Sequence, residues 1–443
     1  MSAWHGAGLV LLMPPVIWLL LLLAYRRPAL AAWREPVLGH PVLIIESDDW
    51  GPGPAQQATA LRRLAECLLK YRDTTGRPPV MTLGLTLTLP DSQGIKDAFS
   101  NRHSGAGRNP EESTPWAPAC AGMTNTSLAS QAIADTQPPA YRALPLTALV
   151  YADILAAIQE GIAAGVFAPQ LHGMAHYWPE ALMRASQADP QVLAWILAGP
   201  HQETEVLPSP LQTRWVDASV LPSRPLPAEQ IRAAVAEEVA FYRQVFGAAP
   251  EVAVPPTFVW TPEVEAAWAA QGVRVLVTPG RPCNGRDALG RPECAATPLH
   301  NGQRGLGDIR YLVRDRYFEP ARGHRAERGL QALAEKTAQG RPCLLETHRF
   351  NFTDSGAETA LAELDALLRR ALAEHPTLRF VNPAELAESY RASCDRPVIR
   401  LGRRLTAWQA RMREAPRFAR LARLTGLECA LAGCTPRTRG NAT

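Results

Sequence analysis

The chain has 443 residues (48.2 kDa), and its 47% hydrophobic, 20% charged composition excludes a disordered, collagenous or coiled-coil protein. That length accommodates one large α/β domain with appendages, or two ordinary domains. Its 46 basic and 42 acidic residues nearly cancel, so there is no chain-wide field of the kind that grips nucleic acid, and none is expected as a partner.

The first element is an uncharged run, Leu9 to Tyr25, whose 17 residues reach the lower limit for crossing a bilayer. A cleaved signal peptide is the competing reading, with Ala29-Leu30-Ala31 as a small-x-small site. No Lys or Arg precedes the run, however, and Arg26 and Arg27 follow it. The expectation is therefore an uncleaved transmembrane helix (residues 1–27), single-pass in the cell inner membrane, and a linker (28–40). Arg26, Arg27 and Arg34 favour a cytoplasmic body by the positive-inside rule, but three charges leave its side open.

From Pro41 the pattern changes to alternating strand and helix signals. VLIIES reads as a buried strand, and Leu61, Leu64, Leu68 and Leu69 give Gln56–Lys70 helical spacing. A second strand is predicted over Val80–Leu89. Helices are predicted over Leu149–Ala164, Ala228–Phe246, Glu263–Ala270 and Ala357–Ala373. Short apolar runs lie between and after them at Val252–Val254, Val273–Val277, Cys343–Glu346 and Leu378–Val381. This alternation over residues 41–390 indicates a parallel α/β sheet or barrel. Residues 100–126 break it with a stretch rich in Gly, Pro and Ser, which resembles the translation of a dispersed palindromic DNA repeat. An exposed loop insertion is implied, and His103 and Cys120 are poor ligand candidates.

Residues 391–443 form a tail. From Arg396 onward it holds 11 Arg against Glu414 and Glu428, with apolar residues interleaved and Pro416 splitting two short helices. Such a basic amphipathic tail can lie on anionic lipid or pack against the body. The eight cysteines make no disulfide scaffold, and only Cys429 and Cys434 suggest a pair by spacing.

Three segments carry chemistry. Glu46-Ser47-Asp48-Asp49-Trp50-Gly51 puts adjacent carboxylates at the end of a strand, where α/β barrels place catalytic groups, although turns also favour Asp and Gly. His172 and His176 are spaced i, i+4, on one face if helical, which suits a zinc-type ion; Gly173 after His172 excludes the HExxH protease pattern. His348 closes the apolar run Leu344–Glu346. Singly, each is equally a turn, a chance histidine pair or a structural histidine.

In this order, ESDDWG, TLPD, QLHGMAH and THRFNF resemble the polysaccharide deacetylase family (carbohydrate esterase family 4, the NodB-homology domain), in a divergent ESDDWG-type branch. The resemblance covers residues 41–390 without the insertion, and it implies a distorted parallel (β/α) barrel. It further implies that Asp49, His172 and His176 hold one divalent ion, most simply Zn2+. Asp48 would be the general base and His348 the general acid in removing N-acetyl groups from a glycan. Three departures stand out. Trp50 comes between the aspartates and Gly51. Gly173 stands where Ser or Thr is usual. The third motif, Val254–Trp260, has no arginine to orient the catalytic aspartate, and Arg349 is a conceivable substitute. Trp50, Arg349 and Trp260 are the candidate substrate contacts, with core packing the alternative for Trp260. The rival functions are a non-catalytic glycan- or lipid-binding domain and another metal-dependent carbohydrate hydrolase.

Overall fold

The computed structural model describes residues 3–105, 140–392 and 401–433. Nine parallel strands form one α/β sheet, curled into a half-barrel. They are β1 (Val42–Trp50), β2 (Met81–Leu85), β3 (Phe167–Leu171), β4 (Val252–Ala253), β5 (Val275–Thr278), β6 (Arg310–Val313), β7 (Arg316–Tyr317), β8 (Cys343–His348) and β9 (Arg379–Phe380). The spatial order is β6-β5-β4-β3-β2-β1-β8-β7, with β9 also pairing β1.

β1 is buried on both faces along its whole length, which is why it reads as a continuous apolar run. Alternation sends its side chains to two cores. Leu43 and Ile45 join Leu61, Leu64, Leu68, Leu364 and Leu367 from the helices Gln57–Leu69 and Ala357–Glu374. Val42 and Ile44 face Val252, Val254, Val275, Val277 and Leu344. The same alternation carries Glu46 and Asp48 onto the Val42/Ile44 face.

The predicted helices form, Ala228–Phe246 among them, although Leu69 of the first is exposed while Leu61, Leu64 and Leu68 are buried. Three of the nine strands lie outside the sequence expectation, the two-residue β7 among them. β3 is interrupted by Pro169 and polar at Gln170, and β6 is four residues long and begins with Arg. Of the expected insertion, residues 100–105 extend the helix Ser92–Gly105, and the rest falls outside the described residues.

The ends of the chain differ from expectation. The helix α1 (Ala3–Ala24) is followed at once by α2 (Arg26–Arg34), so much of the expected linker is helical. Among the described residues no single helix is long and apolar enough to cross a membrane; Pro14–Ala24 and Arg26–Arg34 pass that test only as a pair bent by 74°. The straight transmembrane helix is thus replaced by a bent pair. The far end of α2 is tied to the tail and the body. Arg411, buried, donates to the carbonyls of Ala32, Glu35 and Pro36 at the end of α2 and to those of Gln339 and Gly340. Glu35 in turn accepts two bonds from Arg341 at 2.8 and 2.9 Å.

The tail is helical over Leu401–Met412, Pro416–Leu424 and Leu427–Gly433. Met412, Phe418, Ala422 and Leu427 pack on Leu21 and Ala32, while Trp18 and Trp408 donate to Thr425 O and Ala29 O. The N-terminal helices therefore cover part of its apolar face, while Leu401, Leu421 and Leu424 stay exposed. Cys434 lies outside the described residues, and among those described the disulfide is Cys283–Cys294.

Candidate metal centre and proton-transfer groups

Adjacent strand residues point to opposite faces, so Asp48 and Asp49 cannot both enter one site unless the backbone breaks. It does break. The β1–β2 register shifts between Ser47 and Trp50, and Asp49 takes φ 69°, a left-handed conformation that non-glycine residues seldom adopt. Gly51 follows at φ 121°, where a Cβ would stand 2.2 Å from Thr86 O. Asp48 lies across β2 at Gly84, whose absent Cβ would meet Asp48 Oδ1 at 2.3 Å.

Asp49 Oδ1 lies 3.2 Å from His176 Nε2 and 3.4 Å from His172 Nε2, with all three residues buried. Two ligands each ~2.0–2.2 Å from one tetrahedral ion are ~3.4 Å apart, so the three atoms are spaced as ligands of a single ion. His172 Nδ1 donates to Val254 O at 2.8 Å, leaving Nε2 as a bare acceptor aimed at the carboxylate. Asp49 Oδ1 and His176 Nδ1 have no hydrogen-bond partner. Burial lowers the pKa of His172, but the Asp48 and Asp49 carboxylates outweigh it and hold the ring above its ordinary value. This pocket has surplus negative charge, and a cation fits it.

The histidines lie in a loop after β3, not on a helix. Gly173 is at φ 98°, and a Cβ there would press on Arg214 Cδ at 2.9 Å and Ala175 O at 3.0 Å. A side chain at 173 is thus excluded. The loop is steadied instead through Met174, whose N–H donates to Glu238 and whose carbonyl accepts from Leu87 N, Thr88 N and Thr88 Oγ1.

Asp48 is clamped by Arg314, which donates from Nη1 and Nη2 at 3.2 and 2.5 Å. Arg314 is fully buried at the end of β6, bonds Glu46 at 3.1 Å, lies 3.4 Å from Glu346 and stacks over Phe258 at 5.1 Å. The β1–β8 register places Glu46 beside Glu346 and Asp48 beside His348. Burial raises the pKa of Asp48, but Arg314 and His172 overcome it, so the carboxyl titrates below its usual range. Burial pushes Glu46 up to about 7 despite Arg314.

His348 Nδ1 is 2.6 Å from Glu319 Oε1, and its ring stacks on Phe350 at 5.7 Å. Burial lowers its pKa, yet the Glu319 hydrogen bond and the carboxylates of Asp49, Asp48 and Glu346 raise it to about 9. At neutral pH His348 is a cation beside an anionic Asp48.

The structure thus gathers Asp48, Asp49, His172, His176 and His348 in one place. Of the three expected substrate contacts, two lie in the core and the third is held in an ion pair. Trp50 is wholly buried in the main core, its indole donating to Ser47 Oγ, because the break at Asp49 turns it inward. Trp260 is likewise in the core, bonded to Glu265. Arg349 bonds Asp48 only through its backbone N–H, and its side chain pairs with Glu205 at 2.7 Å. Sequence reasoning missed Arg314, Glu319, Glu46 and Glu346. The two glutamates sit inside the motifs themselves, two residues before Asp48 and His348, whereas no pattern marks Arg314 or Glu319.

No family model matches the chain, and no curated protein matches it. Solved structures similar to it include a putative polysaccharide deacetylase from Mycobacterium smegmatis (10% identity, TM-score 0.38, covering 81% of this chain and 96% of that one). Others are a putative glycoside hydrolase/deacetylase from Parabacteroides distasonis (10%, 0.39, 81% and 73%) and a 4-alpha-glucanotransferase from Thermococcus litoralis (9%, 0.37, 78% and 40%). The chain thus spans about two fifths of the glucanotransferase. At scores this low the likeness assigns no function to this chain.

Proposed function

We propose that this protein is a divalent-metal-dependent hydrolase that removes N-acetyl groups from a glycan. The observation that carries this reading is the flanking of one three-ligand pocket, Asp49, His172 and His176, by an anionic Asp48 and a cationic His348. When bound, a zinc-type ion supplies Lewis-acid polarisation of the amide carbonyl and acidifies a water. Asp48, oriented by Arg314, accepts the proton of the attacking water. His348, held by Glu319, donates one to the departing amine. The feature that favoured a non-catalytic binding domain was the missing motif arginine, and Arg314 supports the catalytic reading in its stead.

The test is bound metal and acetate release. The full chain should carry about one ion, lost in His176→Ala, with His172 and Asp49 insufficient alone. Acetate released from N-acetylated glycans should vanish in Asp48→Asn while the metal stays. Metal-free protein after reconstitution would refute the reading.

We further propose that the chain resides at a bacterial inner membrane, facing the periplasm. Val16, Leu19, Leu20 and Leu23 on α1 are each more than half exposed, and Arg417 and Arg420 are exposed nearby on the tail helix that packs against α1. The Cys283–Cys294 disulfide supports an oxidising compartment, against the weaker positive-inside bias. Flotation of the full chain with anionic vesicles, abolished by Leu19→Glu/Leu20→Glu, is the expected outcome.

A further inference from the structure

Beside the metal pocket, on the same carboxyl-end face of the sheet, lies a cleft of about 580 Å3, within the ordinary range for small-ligand sites. Its walls come from the turn after β1 (Gln56), the segment after β8 (Asp354) and a strap between them (Trp195, His201, Gln202, Glu203). The strap is fastened to the catalytic segments. His201 Nδ1 lies 2.9 Å from Gly53 O, and Glu205, two residues past Glu203, is gripped by Arg349, the neighbour of His348. Through that ion pair the strap is tied to the residue that follows His348.

Three observations define what the cleft takes. Glu203 and Asp354 contribute two carboxylates with no ion-pair partner among the described residues, and no Lys or Arg lines the walls. Gln56, His201 and Thr353 add uncharged polar groups to the lining. Trp195, fixed by its indole bond to Glu203 O, supplies an aromatic wall. Two carboxylates with no Lys or Arg beside them, polar groups and an aromatic wall suit a polyhydroxyl ligand that carries an ammonium group.

We propose that this cleft is a subsite for an amino sugar with a free amine, so that the protein binds a glycan already deacetylated next to the unit it acts on. The proposal rests on the hydrolase reading above, and it assigns a charge to the neighbouring sugar that the metal pocket does not determine. The full chain in detergent is titrated calorimetrically with a glucosamine trimer and with its fully N-acetylated counterpart, with metal removed and with metal bound. The glucosamine trimer should bind more tightly, and more so at low salt. Glu203→Gln/Asp354→Asn should weaken that binding by about tenfold and shift the acetylated trimer by less than about twofold. Ala55→Trp, which fills the exposed mouth, should abolish both, with the thermal midpoint reporting that each variant is folded. Equal binding of the two trimers, no binding of either, or indifference of the glucosamine trimer to the double variant overturns the proposal. Acetate release separates the two ideas. Release with a charge-indifferent cleft refutes the subsite and leaves the hydrolase. Charge-dependent binding without release leaves a sugar site and refutes the hydrolase.

Discussion

Replacing Arg314 with methionine tests the centre of the site. The guanidinium is buried among three carboxylates, Asp48, Glu46 and Glu346, so its removal strands them without a counter-charge. Breaking a buried pair in this way costs about 3–5 kcal/mol. Across a cooperative unit of about 350 residues, at ~2.1 cal/mol/K per residue, that lowers the thermal midpoint by roughly 4–7 °C. The loss has a definite sign with pH. In the native protein Asp48 is depressed, so it contributes stability above its unfolded pKa, which disappears as pH falls through the folded value. In the variant all three carboxyls are raised, so folding takes up protons and the protein is weakest at high pH. Midpoints of both proteins at pH 5, 7 and 8.5 should therefore diverge as pH rises, while metal content stays. Acetate release should fall with Asp48 disoriented, and Arg314→Lys should recover more stability than activity, because lysine keeps the charge and loses the fork. Parallel pH curves for the two proteins, or undiminished activity in the variant, would refute the role given to Arg314.

Gly84→Ala places a Cβ 2.3 Å from Asp48 Oδ1, and Arg314 prevents that carboxylate from yielding; acetate release should drop at least about tenfold with the metal retained. His348, raised to about 9, should give a ring titration near that pH by NMR in the metal-free protein. Its contribution to stability is then complete below about 6.5 and lost as pH rises through about 9, and Glu319→Gln should move the titration down. Alkylation followed by mass spectrometry should find Cys283 and Cys294 protected until reduction, whereas Cys67 and Cys343 react only on unfolding because they are buried.

The candidate metal ligands were legible through the order of ESDDWG, QLHGMAH and THRFNF rather than through local pattern, since His172 follows the Pro- and Gln-containing β3 and His176 lies in a loop. The helix over Ala228–Phe246 was legible from its periodicity and its closing Gly247 in the left-handed conformation. Arg314 was not. It is placed by β6, four residues whose burial comes from neighbours distant in sequence rather than from any pattern of their own. Trp50 misled for the converse reason. Its position beside Asp49 suggested a shared face, but the left-handed φ that brings two aspartates together sends the third residue into the core. The i, i+4 spacing of His172 and His176 suited a helix equally well, and only the contacts around Gly173 decide for a loop.

The convergence of both chain ends on Glu35 has a practical side. A truncation that starts beyond Pro36 removes the carboxylate that Arg341 and Arg411 share, and it uncovers Met412, Phe418 and Leu427. Such a fragment would leave Arg341 with Glu414 as its carboxylate and Arg411 with only the carbonyls of Gln339 and Gly340, beside a sticky patch that the whole protein never exhibits. Preparations of the catalytic body are therefore best trimmed at the two termini together, or at neither.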